Sequence, residues 1–286
     1  MASKTLSNEN LTVLKAQMKL WARELGFSMI GIADIDLSQA ETRLIEWLAD
    51  GRHGDMHYMA KHGNRRTKPA AIHPGTIRVV SVRMDYLPDS AAPPTRVLQD
   101  NSKGYISRYA LGRDYHRLIR RKLQKLADLM GETIGPFRYR AFADSGPVME
   151  KPLGVKAGLG WLGKHTNVID KDSGSFFFLG ELYTDLPLPV DREQTDHCGD
   201  CTRCMTACPT GAIDEAYQLD ARLCIAYLTI ELKGAIPEDL RPLIGNRIFG
   251  CDDCQLVCPW TRFSKSTSNQ DFQPRHSLDN TKLVDL

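Results

Sequence analysis

The sequence predicts an α+β (α/β-like) N-terminal domain followed by a smaller cysteine-rich domain. Two observations lead to this fold class. Segments with helical and strand periodicity alternate along residues 1–190. All eight cysteines come later, between Cys198 and Cys258. A chain of 286 residues is long enough for two domains with hydrophobic cores. We place the second domain at 191–263 and a polar, extended tail at 264–286.

The N-terminal domain is expected to contain both amphipathic helices and buried strands. Its first helix is indicated by apolar residues at helical spacing, ending at Gly26, which suits a C-cap. The segment F-F-F-L-G-E-L-Y has the apolar run of a strand buried on both faces. A proline-rich segment, D-L-P-L-P-V-D, marks the boundary near residue 190. We expect helices at 11–25, 38–50 and 114–130, and strands at 27–33, 77–84, 137–142 and 176–183.

The first cysteine group has the spacing of a bacterial iron–sulfur sequence. It reads C-G-D-C-T-R-C-M-T-A-C-P and contains Cys198, Cys201, Cys204 and Cys208 before Pro209. In C-x2-C-x2-C-x3-C-P runs, the first three thiolates bind one 4Fe–4S cluster, and the fourth binds the other. This spacing therefore predicts a ferredoxin-like domain that transfers electrons at low potential.

The second group lacks one ligand at the regular position. The segment C-D-D-C-Q-L-V-C-P supplies Cys251, Cys254 and Cys258, but Ile248 stands where a regular repeat would have a cysteine. Cys224 is the one remaining thiol in the sequence, so we expect it to be the fourth ligand. The sharing rule then assigns one cluster to Cys198, Cys201, Cys204 and Cys258, and the other to Cys208, Cys224, Cys251 and Cys254.

Other uses of the cysteines fit less well. Disulfide frameworks are typical of small secreted domains, and the N-terminal M-A-S-K-T-L-S-N-E-N does not resemble a signal peptide. Zinc sites favour paired C-x2-C units or mixtures of cysteine and histidine. We therefore expect two 4Fe–4S clusters and a cytoplasmic location. No apolar run approaches the roughly 20 residues of a membrane span, so no membrane association is expected.

The net charge of the whole chain does not indicate a binding partner, but two segments are locally basic. The formal net charge is +2, and the hydrophobic and charged fractions of 42% and 25% are ordinary for a globular protein. Between Lys103 and Lys125, cations outnumber acids strongly, and K-H-G-N-R-R-T-K forms a second basic segment. Each run suits either a solvated face or a nucleic-acid surface.

A glycine motif offers an alternative that we reject. Gly158, Gly160 and Gly163 satisfy G-x-G-x-x-G, the dinucleotide fingerprint. That fingerprint needs a buried strand before it and a helix after it. The flanking K-P-L-G-V-K-A and K-H-T-N-V-I do not have those patterns. A glycine-rich turn is the better interpretation.

Asp144 is the candidate catalytic acid. It follows the strand pattern F-R-Y-R-A-F-A and opens the turn D-S-G-P. A carboxyl group at a strand end is well placed to face a cleft. The alternative role is an N-cap for a helix after Pro147.

Three motifs together resemble the epoxyqueuosine reductase family. They are S-R-Y-A-L-G-R-D-Y-H, starting at Ser107, D-S-G-P-V-M-E-K, starting at Asp144, and G-N-R-I-F-G-C-D-D-C-Q, starting at Gly245. The cysteine layout, with the displaced Cys224, is similar too. The resemblance extends from about residue 10 to residue 275.

The resemblance implies a reaction, cofactors and partners. The family reduces epoxyqueuosine to queuosine at the wobble position of transfer RNAs with a GUN anticodon, using cobalamin beside two 4Fe–4S clusters. The N-terminal domain would then be a cobalamin-binding domain. An external low-potential electron donor is implied, and we expect a monomer.

The resemblance also implies roles for single residues. Asp144 would be the general acid beside the cofactor, and Lys151 and Lys233 would contact RNA. The residues around the corrin would be Arg66, Ser107, Val168, Leu179, Cys251 and Asp252. In some relatives a cysteine occupies the Ser107 position and could bind cobalt through its thiolate. Serine has no thiol group and cannot form that bond.

Two other functions remain open at this point. Corrinoid iron–sulfur reductive dehalogenases share the same cofactors, but an export signal is expected in them. A ferredoxin module that only transfers electrons would predict no corrin and no activity on RNA.

Overall fold

A four-stranded antiparallel sheet forms the centre of the N-terminal domain. The computed structural model describes residues 7–285, and the order in this sheet is β1-β2-β8-β5. Three two-stranded pairs, β10-β3, β4-β9 and β6-β7, lie outside it. The strands are β1 Met29–Ala33, β2 Arg78–Asp85, β3 Leu87–Pro88, β4 Tyr105–Ile106, β5 Tyr139–Phe142, β6 Trp161–Leu162, β7 Val168–Ile169, β8 Phe177–Thr184, β9 Arg247–Phe249 and β10 Ser266–Thr267.

The chain contains two long helices, α1 (Asn8–Glu24) and α6 (Tyr115–Ile134), and several shorter ones. Ser7 caps the first helix by accepting a hydrogen bond from the amide of Asn10, and Gly26, with a φ of 85°, comes after its end. The helices are α1 Asn8–Glu24, α2 Ser38–Ala49, α3 Tyr58–Lys61, α4 Pro69–Ile72, α5 Pro94–Leu98, α6 Tyr115–Ile134, α7 Glu150–Lys156, α8 Arg203–Thr206, α9 Ile225–Ile230, α10 Arg241–Ile244 and α11 Asp253–Leu256.

The predicted fold class is confirmed, and the expected elements of the N-terminal domain are present. Strands β2 and β8 pair along their full length, with Val80 opposite Leu182, and both strands are buried on both faces. Helices α1 and α6 pack with one face of the sheet around a core that includes Leu14 and Leu123. Helix α7 covers the other face, where Leu153 belongs to a second core.

The glycine motif forms a tight turn. Gly163, its last glycine, lies between the two antiparallel strands of the β6-β7 hairpin. Gly160 has a φ of 159°, and a Cβ at this position would lie 2.2 Å from the Ile169 carbonyl oxygen. Close backbone approach therefore explains the glycine, in agreement with the expected turn.

The two parts of the chain contact each other closely. Strand β4, from the first part, pairs in parallel with β9, from the second. The Tyr227 hydroxyl accepts a hydrogen bond from the amide of Asp55, and the Gln255 side chain donates to the Ser175 carbonyl oxygen. These contacts join residues on both sides of position 190, so they do not test the domain boundary. The boundary near residue 190 stays a prediction.

Residues 264–286, expected to be a polar extended tail, return to the N-terminal domain as far as the structure describes them. Phe272 is buried in the main core, and its ring lies 5.3 Å from that of Phe178. The Arg275 amide donates to the Leu111 carbonyl oxygen. One aromatic side chain therefore anchors a segment whose composition is otherwise polar. In the described residues, no helix is both long and apolar enough to cross a membrane.

Candidate active site

A cavity of about 380 Å³ lies between the N-terminal domain and the cysteine-rich segment. Aromatic and apolar side chains of the N-terminal domain line one side of it, among them Tyr115, Phe177 and Leu179. The other side is formed by the cysteine-rich segment. The cavity is therefore a place where a bound group would touch both parts of the chain.

Four cysteines line this cavity together, and they are the four that we assigned to one cluster: Cys208, Cys224, Cys251 and Cys254. Cys224 reaches it from the N-terminus of α9. The structure thus brings the displaced cysteine to the ligands it was expected to join.

The other four cysteines, Cys198, Cys201, Cys204 and Cys258, do not line the cavity. Cys204 lies on α8 and is buried, whereas Cys258 lines a separate groove on the outside of the domain. None of the eight forms a disulfide. Among residues 7–285, no three histidine, cysteine or acidic side chains converge as ligands of a single metal ion.

Burial raises the pKa of the thiols of Cys251 and Cys254, because a thiolate loses hydration there. Metal binding requires the thiolate form, so cluster assembly must release these protons. We therefore expect assembly to be favoured at higher pH.

Asp252 is a buried carboxylate with three donors. It accepts hydrogen bonds from the Tyr105 hydroxyl at 2.7 Å, the Ser107 hydroxyl at 2.5 Å and the Arg108 amide at 2.8 Å. Burial raises its pKa, and the hydrogen bonds from Ser107 and Tyr105 oppose that effect. Ser107, whose hydroxyl donates a hydrogen bond to this carboxylate, also lines the cavity.

Asp144 lies in the loop after β5, in the left-handed region with a φ of 55°. Its Oδ2 accepts a hydrogen bond from the Tyr115 hydroxyl at 2.8 Å and lies 2.9 Å from His116 Nε2. Its amide donates to Glu150 Oε1 at 2.6 Å. The alternative N-cap role is wrong, because Met149 occupies the N-cap position of α7.

Two groups beside Asp144 have altered acidity. Burial alone would lower the pKa of His116, but hydrogen bonds to Asp144 and Asp114 outweigh burial and raise it. Burial raises the pKa of Glu150 to about 8, so this side chain is largely neutral at pH 7. The loop is therefore flanked by two groups whose pKa values are raised.

The remaining predicted residues divide into two groups. Val168, Leu179 and Lys151 line the cavity, and Lys151 donates to Asn167 Oδ1 at 3.1 Å. Arg66 is buried but does not line the cavity. Lys233 is exposed and is likewise not a lining residue.

Sequence reasoning missed Tyr115, His116, Glu150 and His165. The first two stand at the start of α6 in the D-Y-H segment, for which the sequence predicts only a basic helix. His165 lines the cavity, and burial lowers its pKa to about 4, which keeps its ring neutral. No simple spacing rule links these residues to Asp144.

Comparison with known proteins supports the assignment of the family. The family model described as epoxyqueuosine reductase QueG, DUF1730, matches residues 66–145, and the 4Fe-4S double cluster binding domain matches 197–261. An epoxyqueuosine reductase of Pseudomonas aeruginosa is 57% identical over 274 residues, which cover 96% of this chain and 76% of the relative. The chain belongs to the epoxyqueuosine reductase family. The Escherichia coli epoxyqueuosine reductase is 54% identical over 97% of this chain and 73% of its own length.

Solved structures of epoxyqueuosine reductases share the fold. One, determined with an epoxyqueuosine-modified stem loop of tyrosine tRNA, has a TM-score of 0.86 at 30% identity and covers 96% of this chain and 72% of its own. Another, from Bacillus subtilis, with a catalytic aspartate loop swung out of the active site, has a TM-score of 0.86 at 29% identity and the same coverage. The match to the double-cluster domain indicates two 4Fe–4S clusters in this epoxyqueuosine reductase family member.

Reductive dehalogenases share the general fold at lower similarity. One, with a structure that suggests a B12-dependent mechanism, has a TM-score of 0.52 at 16% identity and covers 88% of this chain and 32% of its own. This likeness shows a common fold and carries no statement about substrate.

Proposed function

We propose that this chain reduces epoxyqueuosine in tRNA to queuosine, with two 4Fe–4S clusters and cobalamin as cofactors. The observation that carries the proposal is the shared cavity, where four cysteines lie on one side. The Tyr115 that bonds Asp144 lies on the other. Electrons would thus reach the cavity from the cysteines, and protons from Asp144, which does not line the cavity itself but is bonded to the lining residue Tyr115.

The residues around the cavity fit a corrin. Apolar and aromatic walls, including Val168 and Leu179, suit the flat macrocycle. One buried nitrogen of a lining residue without a hydrogen-bond partner in the described chain, His165 Nε2, suits a polar amide substituent of the macrocycle. Cys251, Asp252 and Ser107 would lie on the cluster side of the ring. When bound, cobalamin would supply a low-potential metal centre that passes electrons to the substrate.

Proton transfer would be the task of the chain's own residues. Converting an epoxide to an alkene consumes two electrons and two protons and releases water. Asp144 would protonate the departing oxygen, since an alkoxide is a poor leaving group. His116 Nε2, at 2.9 Å, would return a proton to Asp144 Oδ2. The His116 side chain is 30% exposed, so solvent can reprotonate it for the second transfer.

A basic surface next to the site would bind the RNA backbone. Helix α6 starts beside Asp144 and exposes Arg117, Arg120, Arg121 and Lys125 along its outer side. Lys151 at the cavity and Lys233 outside it would add phosphate contacts. A relative was solved with an epoxyqueuosine-modified tRNA stem loop, which supports tRNA with a GUN anticodon as substrate. We propose a cytoplasmic monomer that receives its electrons from an external donor.

The test is anaerobic turnover with defined components. Protein reconstituted with iron and sulfide would be incubated with cobalamin, dithionite and epoxyqueuosine-bearing tRNA, and digested nucleosides would be analysed by mass spectrometry. We expect loss of one oxygen from epoxyqueuosine only when cobalamin is present. Intact clusters and bound corrin without that loss would contradict the proposal. Failure to bind corrin would favour a simple electron-transfer module.

A further inference from the structure

An open groove of about 670 Å³ lies on the outside of the cysteine-rich domain. Helix α8 and the turn after α11 form its sides. Cys258 lines this groove together with the small or apolar side chains of Ala207, Val257 and Pro259. Two arginines, Arg203 and Arg262, also line it. The groove is separate from the cavity that holds the candidate active site, and none of the residues of the Asp144 loop line it.

The positions of the cysteines give electron transfer a direction. Cys208, Cys224, Cys251 and Cys254 face the cavity where reduction would take place. Cys258, assigned to the other cluster, faces the outer groove instead. The cluster held by Cys258 is therefore the one nearer an external donor, and the cavity cluster is the one nearer the substrate.

The groove carries positive charge, which indicates the kind of partner it would bind. Arg203 and Arg262 are both exposed. Neither guanidinium pairs with a carboxylate among residues 7–285. The Arg262 guanidinium lies over the ring of Phe263, 4.7 Å from its centroid, and this cation–π contact favours one orientation of the guanidinium. Two unpaired cations beside apolar lining side chains are complementary to an acidic protein surface.

We propose that this groove docks a small acidic protein that carries single electrons at low potential. The inference rests on the proposed function, which needs an external reductant. Two carrier molecules would each be oxidised by one electron at the Cys258 side. The two electrons would then leave through the cavity cluster and reduce the epoxide. An RNA backbone would also match the two arginines, but it would not explain the cluster ligand or the apolar side chains that line the same groove.

The test compares a protein donor with a chemical one. Arg203→Glu/Arg262→Glu would be made with a matched charge reversal elsewhere, Lys19→Glu/Arg43→Glu, on exposed positions of α1 and α2. Reduced plant-type ferredoxin, a small acidic protein, would be mixed anaerobically with each reconstituted protein, and cluster bleaching would be followed by stopped-flow absorbance. We expect the groove variant to lower the second-order rate constant about tenfold at low salt, because electrostatic steering is lost. The difference should shrink as salt is added.

Separate readouts distinguish this inference from the proposed function. Dithionite-driven turnover and tRNA affinity should be unchanged in the groove variant, as should iron content. Equal rate constants for wild type, groove variant and control variant would overturn the docking surface. A loss of tRNA affinity with normal ferredoxin kinetics would assign the groove to RNA and also overturn it. The neutral pair Arg203→Gln/Arg262→Gln should lower the rate constant for ferredoxin less than the charge reversal does. It provides a second test if the charge reversal impairs folding. Absence of turnover in wild type with dithionite would contradict the proposed function alone, since ferredoxin kinetics need no substrate.

Discussion

His116 connects two carboxylates through its two ring nitrogens. Its Nε2 lies 2.9 Å from Asp144 Oδ2, and its Nδ1 lies 2.6 Å from Asp114 Oδ1. Asp114 also caps α6 by accepting a hydrogen bond from the His116 amide. The ring is thus fixed by the start of a long helix and directed at the loop that carries Asp144. This arrangement favours the protonated ring, which under the proposed function would supply the Asp144 carboxyl group with a proton.

Turnover should depend on the protonation of His116. Burial alone would lower its pKa, but hydrogen bonds to Asp144 and Asp114 raise it above the ordinary 6.5. The stabilising contribution of the pair is full below pH 6.5 and is lost as pH rises through the higher folded pKa. We therefore expect the single-turnover rate and the melting temperature of wild type to fall as the pH rises from 6.5 through the folded pKa of His116. His116→Asn should lower the rate and remove this dependence.

A histidine outside the site provides the control for that measurement. His62 is exposed on the surface, and His62→Asn should retain the wild-type pH profile. Iron content and tRNA affinity should be equal in all three proteins. An unchanged alkaline limb in His116→Asn would show that another group sets the profile.

Replacing Asp144 should abolish chemistry without removing any cofactor. Asp144→Asn keeps the size of the side chain and an acceptor for Tyr115, but it cannot donate a carboxylic proton. We expect the rate of queuosine formation to fall by about 10²–10⁴, the usual contribution of a general acid. Iron content, corrin binding and tRNA affinity should remain. Asp114→Asn, which alters only the far side of His116, should reduce the rate less. Near wild-type turnover in Asp144→Asn would exclude it as the acid.

Cys224 should be required for one cluster only. Cys224→Ala removes a thiolate from the set that faces the cavity, so iron should fall from about eight to about four atoms per chain. The remaining cluster, bound by Cys198 and its partners, should still be visible by electron paramagnetic resonance after reduction. Cys201→Ala is the matched variant for that other cluster. Full iron content in Cys224→Ala would contradict its assignment as a ligand.

How far the sequence predicts the site depends on the kind of rule available. Cys224 is predicted as a ligand by counting, because each cubic cluster needs four ligands and one thiol is left. Asp144 is predicted as an acid because a strand pattern ends just before it. His116 was missed because its role depends on a left-handed turn at Asp144 that brings positions far apart in sequence together. Phe272 was missed for a similar reason, since one aromatic residue in a polar segment gives no periodic signal.

Lys151 should contribute a phosphate contact to tRNA binding. Lys151 lines the cavity, and its ammonium group donates a hydrogen bond to Asn167 Oδ1 at 3.1 Å. Lys151→Ala should weaken binding and reduce the slope of log affinity against log salt by about one, because one fewer counterion is displaced. Fluorescence anisotropy with an anticodon stem loop at several salt concentrations measures this slope. Lys19→Ala, on the exposed side of α1, should leave it unchanged. Equal slopes for wild type and Lys151→Ala would mean that this lysine acts on the substrate without touching a phosphate.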